Sequence, residues 1–173
     1  NRGLPNLKTA PDAFPALVTQ QALDMFEHYH VLSNRELQAR EEVLLEQYST
    51  IVSIEARTLI MMLSTKVLPA ALRYQGELAS IISASTANSV DCSRSLARLG
   101  DVARLSESIQ EAIELLQGLM NNEYEDSQEH ANFVRDSLIP SMNGARTISD
   151  HLEELVPGDI WPLPSYTEML FIR

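Results

Sequence analysis

One stretch of the sequence decides the fold, and residues 33–85 spell it as SNRELQAREEVLLEQYSTIVSIEARTLIMMLSTKVLPAALRYQGELASIISAS. It opens on Ser33 and Glu36, which have the spacing of a capping box. The stretch holds no glycine before Gly76, and its one proline is Pro69. As a single helix it would span roughly 75 Å at ~1.5 Å per residue. The stretch therefore predicts the spine of a helical bundle, kinked or broken just before Pro69.

Apolar residues recur at helical spacing along this spine. The predicted core-facing positions are Leu37, Leu44, Tyr48, Ile51, Thr58, Met62, Leu72, Leu78, Ile81 and Ile82. Residues 59–63 are apolar on every side, and a helix that is apolar all round belongs in the interior of a protein. We therefore expect other segments to surround residues 59–63. The small polar run at residues 83–89 predicts a loop that ends the spine.

Short helices are predicted before the spine. Pro11 is suited to the first turn of a short helix at residues 11–14, which Pro15 then interrupts. Thr19 is a plausible N-cap for a further helix that runs to about Tyr29. Leu32 and Leu37 have the spacing of a hydrophobic staple around the Ser33 cap.

Two more long helices are predicted after the spine, each with a seam of residues three and four apart. Residues 91–121 carry Cys92, Ser95, Leu99, Val102, Ser106, Ile109, Ile113, Leu116 and Met120. Asp126, with Glu129 three residues later, is predicted to start the second of these helices. Residues 126–156 carry Val134, Leu138, Ser141, Ala145, Ile148, Leu152 and Leu155. The short connection predicts an antiparallel hairpin. Reflecting one seam onto the other pairs Ile109 with Leu138, Ser106 with Ser141 beside Pro140, and Leu99 with Ile148.

The last segment predicts an extended tail that docks on the bundle. Each proline in Trp161-Pro162-Leu163-Pro164 disfavours helix in the residue before it. The segment also concentrates large apolar side chains, namely Trp161, Leu163, Tyr166, Leu170 and Phe171. Because large exposed apolar patches are rare, we expect Trp161 to pack against its own chain. A partner-binding arm is the alternative.

Together these elements predict an all-α fold: an antiparallel bundle of long, proline-kinked helices with an extended C-terminal tail. The 173 residues are enough for one domain with a real core. Within a single domain, residues 1–32 form a lead-in with short helices, 33–156 the long-helix bundle and 157–173 the docking tail. Since the chain starts at Asn1 rather than Met, we expect it to be a fragment of a longer protein.

Charge and composition disfavour several classes of partner. Acidic residues outnumber basic ones 24 to 13, a formal net charge of −11. Such a chain is repelled by nucleic-acid phosphates and by anionic membranes, and it carries no bilayer-spanning run or signal-peptide pattern. Cys92 is the only cysteine, which excludes an internal disulfide and fits a reducing, cytoplasmic location.

No motif in the sequence carries recognisable chemistry. Glu27 and His30 have the Glu-x-x-His spacing of di-iron bundles. Such a site needs a second Glu-x-x-His motif, but neither His130 nor His151 has a glutamate three residues before it. Zinc ligands beyond His28 and His30 are also missing. Cys92 is better explained as a small seam residue, and the acidic run Glu107, Glu111, Glu114 as a solvated helix face. No phosphate-binding glycine loop occurs, so we predict no catalytic, cofactor-binding or metal-binding residue.

Several stretches nevertheless resemble the C-terminal part of type III glutamine synthetases. The resemblance spans nearly the whole chain in the family's order, although residues 91–121 match by pattern only. The segments that carry it are RGLPNLKT (2–9), LLEQY (44–48), IEA (54–56), LPA (68–70), YQGELA (74–79), IPSM (139–142) and WPLPSY (161–166).

The resemblance implies a parent enzyme that makes glutamine from glutamate, ammonia and ATP with magnesium or manganese. The family's catalytic part, a β-grasp domain with a strand-rich core, supplies the metal ligands and phosphate-binding arginines. None of these elements occurs in this chain, which implies an inactive helical region with a structural, oligomerisation or regulatory role. The family forms ring-shaped homo-oligomers, commonly dodecamers of two stacked hexamers, so the implied partners are the rest of the synthetase chain and other subunits. The competing hypothesis is a free-standing helical module that binds a protein partner.

Overall fold

Helices make up the structure, a computed structural model that describes residues 3, 5–164 and 166–170, with side chains for all of these except 166 and 167. The α-helices are α1 (Ala10–Ala13), α2 (Gln20–His28), α3 (Asn34–Met62), α4 (Leu68–Ala87), α5 (Ser93–Leu119), α6 (Ser127–Phe133), α7 (Ile139–Leu155) and α8 (Tyr166–Leu170). A 3-10 helix (Phe14–Val18) separates α1 from α2. No strand occurs among the described residues, which confirms the all-α prediction.

The contacts between residues divide the chain into two compact units. The first is formed by Asn1–Ala56 and Leu119–Pro140, as far as these segments are described. The second is formed by Arg57–Gly118 and Ser141–Arg173, with the same restriction. The arrangement of residues 1–173 as a single domain stays a prediction.

The predicted caps begin their helices. The Ser33 amide and hydroxyl both donate to the Glu36 carboxylate, at 2.8 and 2.7 Å, and the Glu36 amide donates to Ser33 Oγ at 3.4 Å. These bonds, first from the Ser33 backbone and then from its side chain, hold the pKa of the Glu36 carboxyl below its usual value. Asp126 accepts from the amides of Gln128 and Glu129 at 2.7 and 3.2 Å. The predicted starts of α3 and α6 are therefore confirmed.

A π turn precedes each of two prolines inside the long helices. Leu63–Val67 joins α3 to α4 just before Pro69, and Val134–Leu138 joins α6 to α7 just before Pro140. Each π turn ends two residues before its proline. A proline lacks the amide that an α-helix needs and crowds the carbonyl four residues back, and a wider turn accommodates both defects. The sequence predicts either a kink or a break at Pro69. The backbone stays helical through the π turn, so the helix does not break there, and the kink stays a prediction.

The buried face of α3 lies one residue beyond most of the predicted positions. Leu37 is buried as expected, and the other buried positions of α3 are Leu45, Ser49, Val52 and Ala56. Leu44 and Tyr48 are half-buried, and Ile51 and Thr58 are exposed. The stretch 59–63 is not enclosed, because Met61 is 53% exposed while Leu63 is buried.

The predicted loop at residues 83–89 is largely helical. Helix α4 continues to Ala87, and the turn follows at Asn88 and Ser89, where Ser89 has a left-handed φ of 55°. The Thr86 hydroxyl donates to the Ile82 carbonyl at 2.9 Å, and the Asn88 side chain donates to Ala84 at 2.8 Å. Small polar residues thus satisfy the last turn of the helix instead of ending it earlier.

The seams of the last two long helices are largely confirmed. Every predicted seam position of residues 91–121 is buried or half-buried, and Val102, Ser106, Ile109, Ile113 and Leu116 are fully buried. After the second π turn the buried positions are Ala145, Ser149, Leu152 and Val156. Ile148 and Leu155 are only half-buried, so the buried face shifts by one residue at these two places.

The tail begins as a non-helical segment and ends in the short helix α8. Leu170 is 74% exposed, so the expectation that it would be covered is wrong. The side chain of Tyr166 and the whole of Phe171 lie outside the described residues.

Candidate functional site

The tail docks on a cluster of buried residues in the second unit. Tyr74 and Leu78 of α4, Val102 of α5 and Val156 after α7 form the cluster. Leu99, Leu155, Ile160 and Trp161 pack against it. The tail therefore joins the core of its own chain through Trp161, as the sequence predicts.

A tight turn after α7 directs the tail onto this cluster. The amides of Ile160 and Trp161 both donate to the Pro157 carbonyl, at 3.0 and 2.9 Å. The backbone thus reverses immediately after the helix and presents two consecutive apolar side chains to the cluster. The buried Trp161 Nε1 has no hydrogen-bond partner among the described atoms, so packing rather than polar bonding holds this ring.

Arg98 of α5 ties the end of α7 to α4. Its Nε donates to the Tyr74 hydroxyl at 3.0 Å, and its Nη2 donates to the Leu155 carbonyl at 2.7 Å. The guanidinium carbon also lies 6.0 Å from the centre of the Tyr74 ring, within cation–π range. Leu155 ends α7, where carbonyls lack helical partners and a cation is favoured. Arg98 thus satisfies a helix end beside the docked tail.

Polar contacts join α1 to α6 and to the π turn that follows α6, in the first unit. Arg135 pairs with Asp12 at 2.7 Å and with its neighbour Asp136 at 2.6 Å. The bond from Arg135 lowers the pKa of the Asp136 carboxyl. The Gln128 side chain donates to the Pro11 carbonyl at 3.2 Å. These bonds fix the short N-terminal helix.

A hollow of about 620 Å³ lies where the N-terminal helices meet α3. Its lining is mainly apolar and includes Leu17, Phe26, Leu32, Leu37, Val43 and Leu44. Glu36 and Arg40 of α3 are its charged lining residues. Both predicted staple leucines, Leu32 and Leu37, line this hollow.

The candidate metal residues do not converge in the described part of the chain. Glu27, His28 and His30 are exposed, and His28 makes an edge contact with Tyr29 at 4.9 Å between ring centres. His130 stacks on Tyr124 at 5.0 Å. Among the described residues, no group of three or more His, Cys, Asp or Glu side chains could hold a metal ion. The absence of catalytic and cofactor-binding residues stays a prediction.

Comparison with known proteins identifies the family. The profile described as Glutamine synthetase C-terminal domain matches residues 1–86. Type-3 glutamine synthetase of Dictyostelium discoideum is 33% identical over 181 residues, which cover 100% of this chain and 25% of that protein. Glutamine synthetases of Butyrivibrio fibrisolvens and Bacteroides fragilis (strain YCH46) are 28% and 26% identical over 176 and 185 residues, covering 98% and 99% of this chain and 25% of each relative.

The chain belongs to the family of glutamine synthetase C-terminal domains. The resemblance found in the sequence is therefore confirmed. The chain spans about a quarter of the length of the curated relatives it matches. No helix in the described part of this glutamine synthetase region combines the length and apolar character needed to cross a bilayer.

Sequence reasoning missed Arg98 as the link between α4, α5 and the end of α7. Arg98 directly precedes the seam residue Leu99, and nothing nearby in the sequence marks its bonding partners. The bonds to Tyr74 and Leu155 span 24 and 57 residues of sequence. A lone arginine beside a seam residue was the only available signal.

Proposed function

We propose that this chain is the non-catalytic helical region of a longer type-3 glutamine synthetase and that it helps to hold the subunits of a homo-oligomer together. The observation that carries the proposal is the match of the entire chain to one quarter of a type-3 glutamine synthetase. The many apolar side chains left exposed on its helices, such as Val43 and Leu96, support a role in contacts with other protein surfaces.

In this proposal the chemistry belongs to the rest of the enzyme. Joining ammonia to glutamate with ATP requires groups that bind phosphate and a divalent metal such as magnesium or manganese. The described part of this chain offers no cluster of metal-ligating side chains, which supports an inactive region. Isothermal calorimetry of the isolated chain with ATP and magnesium should give no binding heat, and micromolar binding would contradict the proposal.

The proposed partners are the remainder of the synthetase chain and neighbouring subunits in a ring-shaped assembly such as a dodecamer, in the cytoplasm. The net charge of −11 supports protein partners over nucleic acid and over anionic membranes.

The test compares the full-length enzyme with a version that lacks this region. Mass photometry gives the size of each assembly, and glutamine formation gives its activity. We expect the shortened enzyme to form smaller assemblies. Assemblies of unchanged size and activity would overturn the proposal. Because the shortened enzyme could fail to fold, Trp161→Ala in the full-length chain serves as a second variant, which removes the packing of the tail on the cluster around Tyr74 and Val102.

A further inference from the structure

The outer face of α3 carries apolar side chains that remain open to solvent. Val43, Ile51 and Ile54 are 59%, 47% and 56% exposed. The buried residues Leu45 and Val52 lie on the opposite side of the same helix, because about 3.6 residues complete one turn. Helix α3 is therefore apolar on two faces, and the core of its unit uses one of them.

This outer face leads into the hollow beside the N-terminal helices. Glu36, Arg40 and Val43 line the hollow from α3, and all three lie along the same side of the helix as Ile54. The hollow and the exposed side chains thus form one continuous surface, which we name the outer α3 face.

We propose that the outer α3 face binds the same face of a second copy of the chain, with the two α3 helices antiparallel and crossing at Gln47. This inference rests on the proposed role in subunit contact. Val43 and Ile51 lie four residues before and after Gln47, and Arg40 and Ile54 lie seven residues before and after it. A two-fold axis at Gln47 therefore sets Val43 level with Ile51 of the partner subunit and Arg40 level with Ile54 of the partner subunit.

The level pairing gives each apolar side chain a place to pack. Helices in contact lie about 8–10 Å apart, so side chains at the same level interdigitate. Ile54 of the partner subunit arrives beside Arg40, at the hollow, whose apolar lining can receive it. The long aliphatic stem of Arg40 can cover that isoleucine while its charged end stays in water.

Charge favours the antiparallel over the parallel orientation. Glu55 follows Ile54, so the antiparallel pair brings Arg40 within reach of Glu55 of the partner subunit, once at each end of the contact. A parallel pair would instead set Arg40 beside Arg40 of the partner subunit. Charges that flank a helix pair select its orientation in this way. Within its own chain Arg40 has a favourable electrostatic interaction with Glu36, one turn earlier, and among the described residues neither Arg40 nor Glu55 forms a close salt bridge.

A charge exchange tests the pairing in the full-length polypeptide. Arg40→Glu and Glu55→Arg each place like charges across the contact, and the double variant restores opposite charges. Positions 40 and 55 are 15 residues apart on one helix, about 22 Å along its axis, so they cannot meet within one copy. We expect each single variant to weaken self-association about tenfold, and the double variant to recover it. Sedimentation velocity over a range of concentrations measures the effect.

The matched control is Glu42→Arg, which makes the same charge change as Glu55→Arg at an exposed position of α3 away from the outer α3 face. It should leave self-association unchanged. Loss of association in both single variants without recovery in the double variant would overturn the pairing. Unchanged association in Arg40→Glu, in Glu55→Arg and in the double variant would also overturn the pairing. The proposed role in subunit contact would still stand if removal of the whole region reduces assembly.

A cysteine at the two-fold axis gives an independent measurement. Gln47→Cys places two thiols across the axis, where facing helices bring Cα atoms into the 4.4–6.8 Å range of a disulfide. Mild oxidation should then yield covalent dimers, whereas Glu42→Cys in the same background should not. Equal cross-linking of the two variants would contradict the proposed geometry.

Discussion

Arg98 donates a 2.7 Å hydrogen bond to the carbonyl of Leu155, the residue that ends α7. The two residues are 57 positions apart, and the same guanidinium also bonds the Tyr74 hydroxyl. One side chain therefore fastens three parts of the second unit at the point where the tail turns back. The predicted pairing of the two seams, which sets Leu99 opposite Ile148, would set residue 98 opposite residue 149. The bond to Leu155 therefore lies further along α7 than the predicted pairing places it.

Replacing Arg98 with alanine should destabilise the chain. The change removes both bonds and leaves the last carbonyl of α7 without its cationic partner. We expect the free energy of unfolding to fall by about 1–2 kcal/mol, measured by urea denaturation. Arg94→Ala, one turn earlier on α5 and also exposed, should be nearly neutral. Equal effects of the two substitutions would show that the Arg98 bonds contribute nothing specific.

Trp161 should report directly on tail docking. Its ring packs against the cluster around Tyr74 and Val102, so truncation to alanine leaves a cavity. Because the residue is only partly buried, the expected loss is near the lower end for such truncations, about 3 kcal/mol. As the only tryptophan, it should show blue-shifted emission that iodide quenches poorly. A red-shifted, readily quenched emission in the folded chain would mean that the tail is undocked in solution.

Local signals in the sequence predicted the helices and their starts well. The capping residues Ser33 and Asp126 act within three residues of themselves, so neighbouring sequence is enough to reveal them. The buried face of α3 was harder to predict because apolar residues occur in adjacent pairs, Leu44 with Leu45 and Ile51 with Val52. Either member fits helical spacing, and only packing in the folded chain selects the second.

Features that depend on distant residues or on backbone adjustment escaped prediction. Pro69 and Pro140 were recognised as obstacles to a helix, but the remedy, a π turn before each, depends on how the whole helix packs. The Arg98 bonds depend on α4 and α7 lying beside α5, which no pattern around residue 98 encodes. The Trp161 contact was predictable because a large ring in a proline-rich tail has few alternatives to packing on its own chain.

The Ser33–Glu36 capping box should make stability depend on pH. Hydrogen bonds from Ser33 lower the pKa of Glu36 below its ordinary value of 4.5 in the folded state. The carboxylate therefore contributes stability that is present above the unfolded-state pKa and is lost as pH falls through the lower folded-state pKa. Wild type should be more stable than Glu36→Gln at about pH 7, and the difference should shrink toward about pH 3.

Urea denaturation of both proteins at these pH values measures that difference. Glu46→Gln, an exposed substitution further along α3, is the matched control for removing one carboxylate. A constant difference between wild type and Glu36→Gln across the acid range would show that the capping bond does not depend on ionised Glu36.

Ser141 tests the close approach predicted between α5 and α7. Ser106 is buried, and its hydroxyl donates to the Val102 carbonyl at 2.8 Å. This hydroxyl therefore needs no hydrogen-bond acceptor on a neighbouring helix. Ser141 is half-buried. If the two serines face each other, Ser141→Leu inserts three extra carbon atoms into a narrow contact and should cost roughly 1–3 kcal/mol.

Glu114→Leu, the same new side chain at an exposed position of α5, should be nearly neutral. Thermal melts compare the variants, and a midpoint that Ser141→Leu leaves unchanged would refute the predicted pairing.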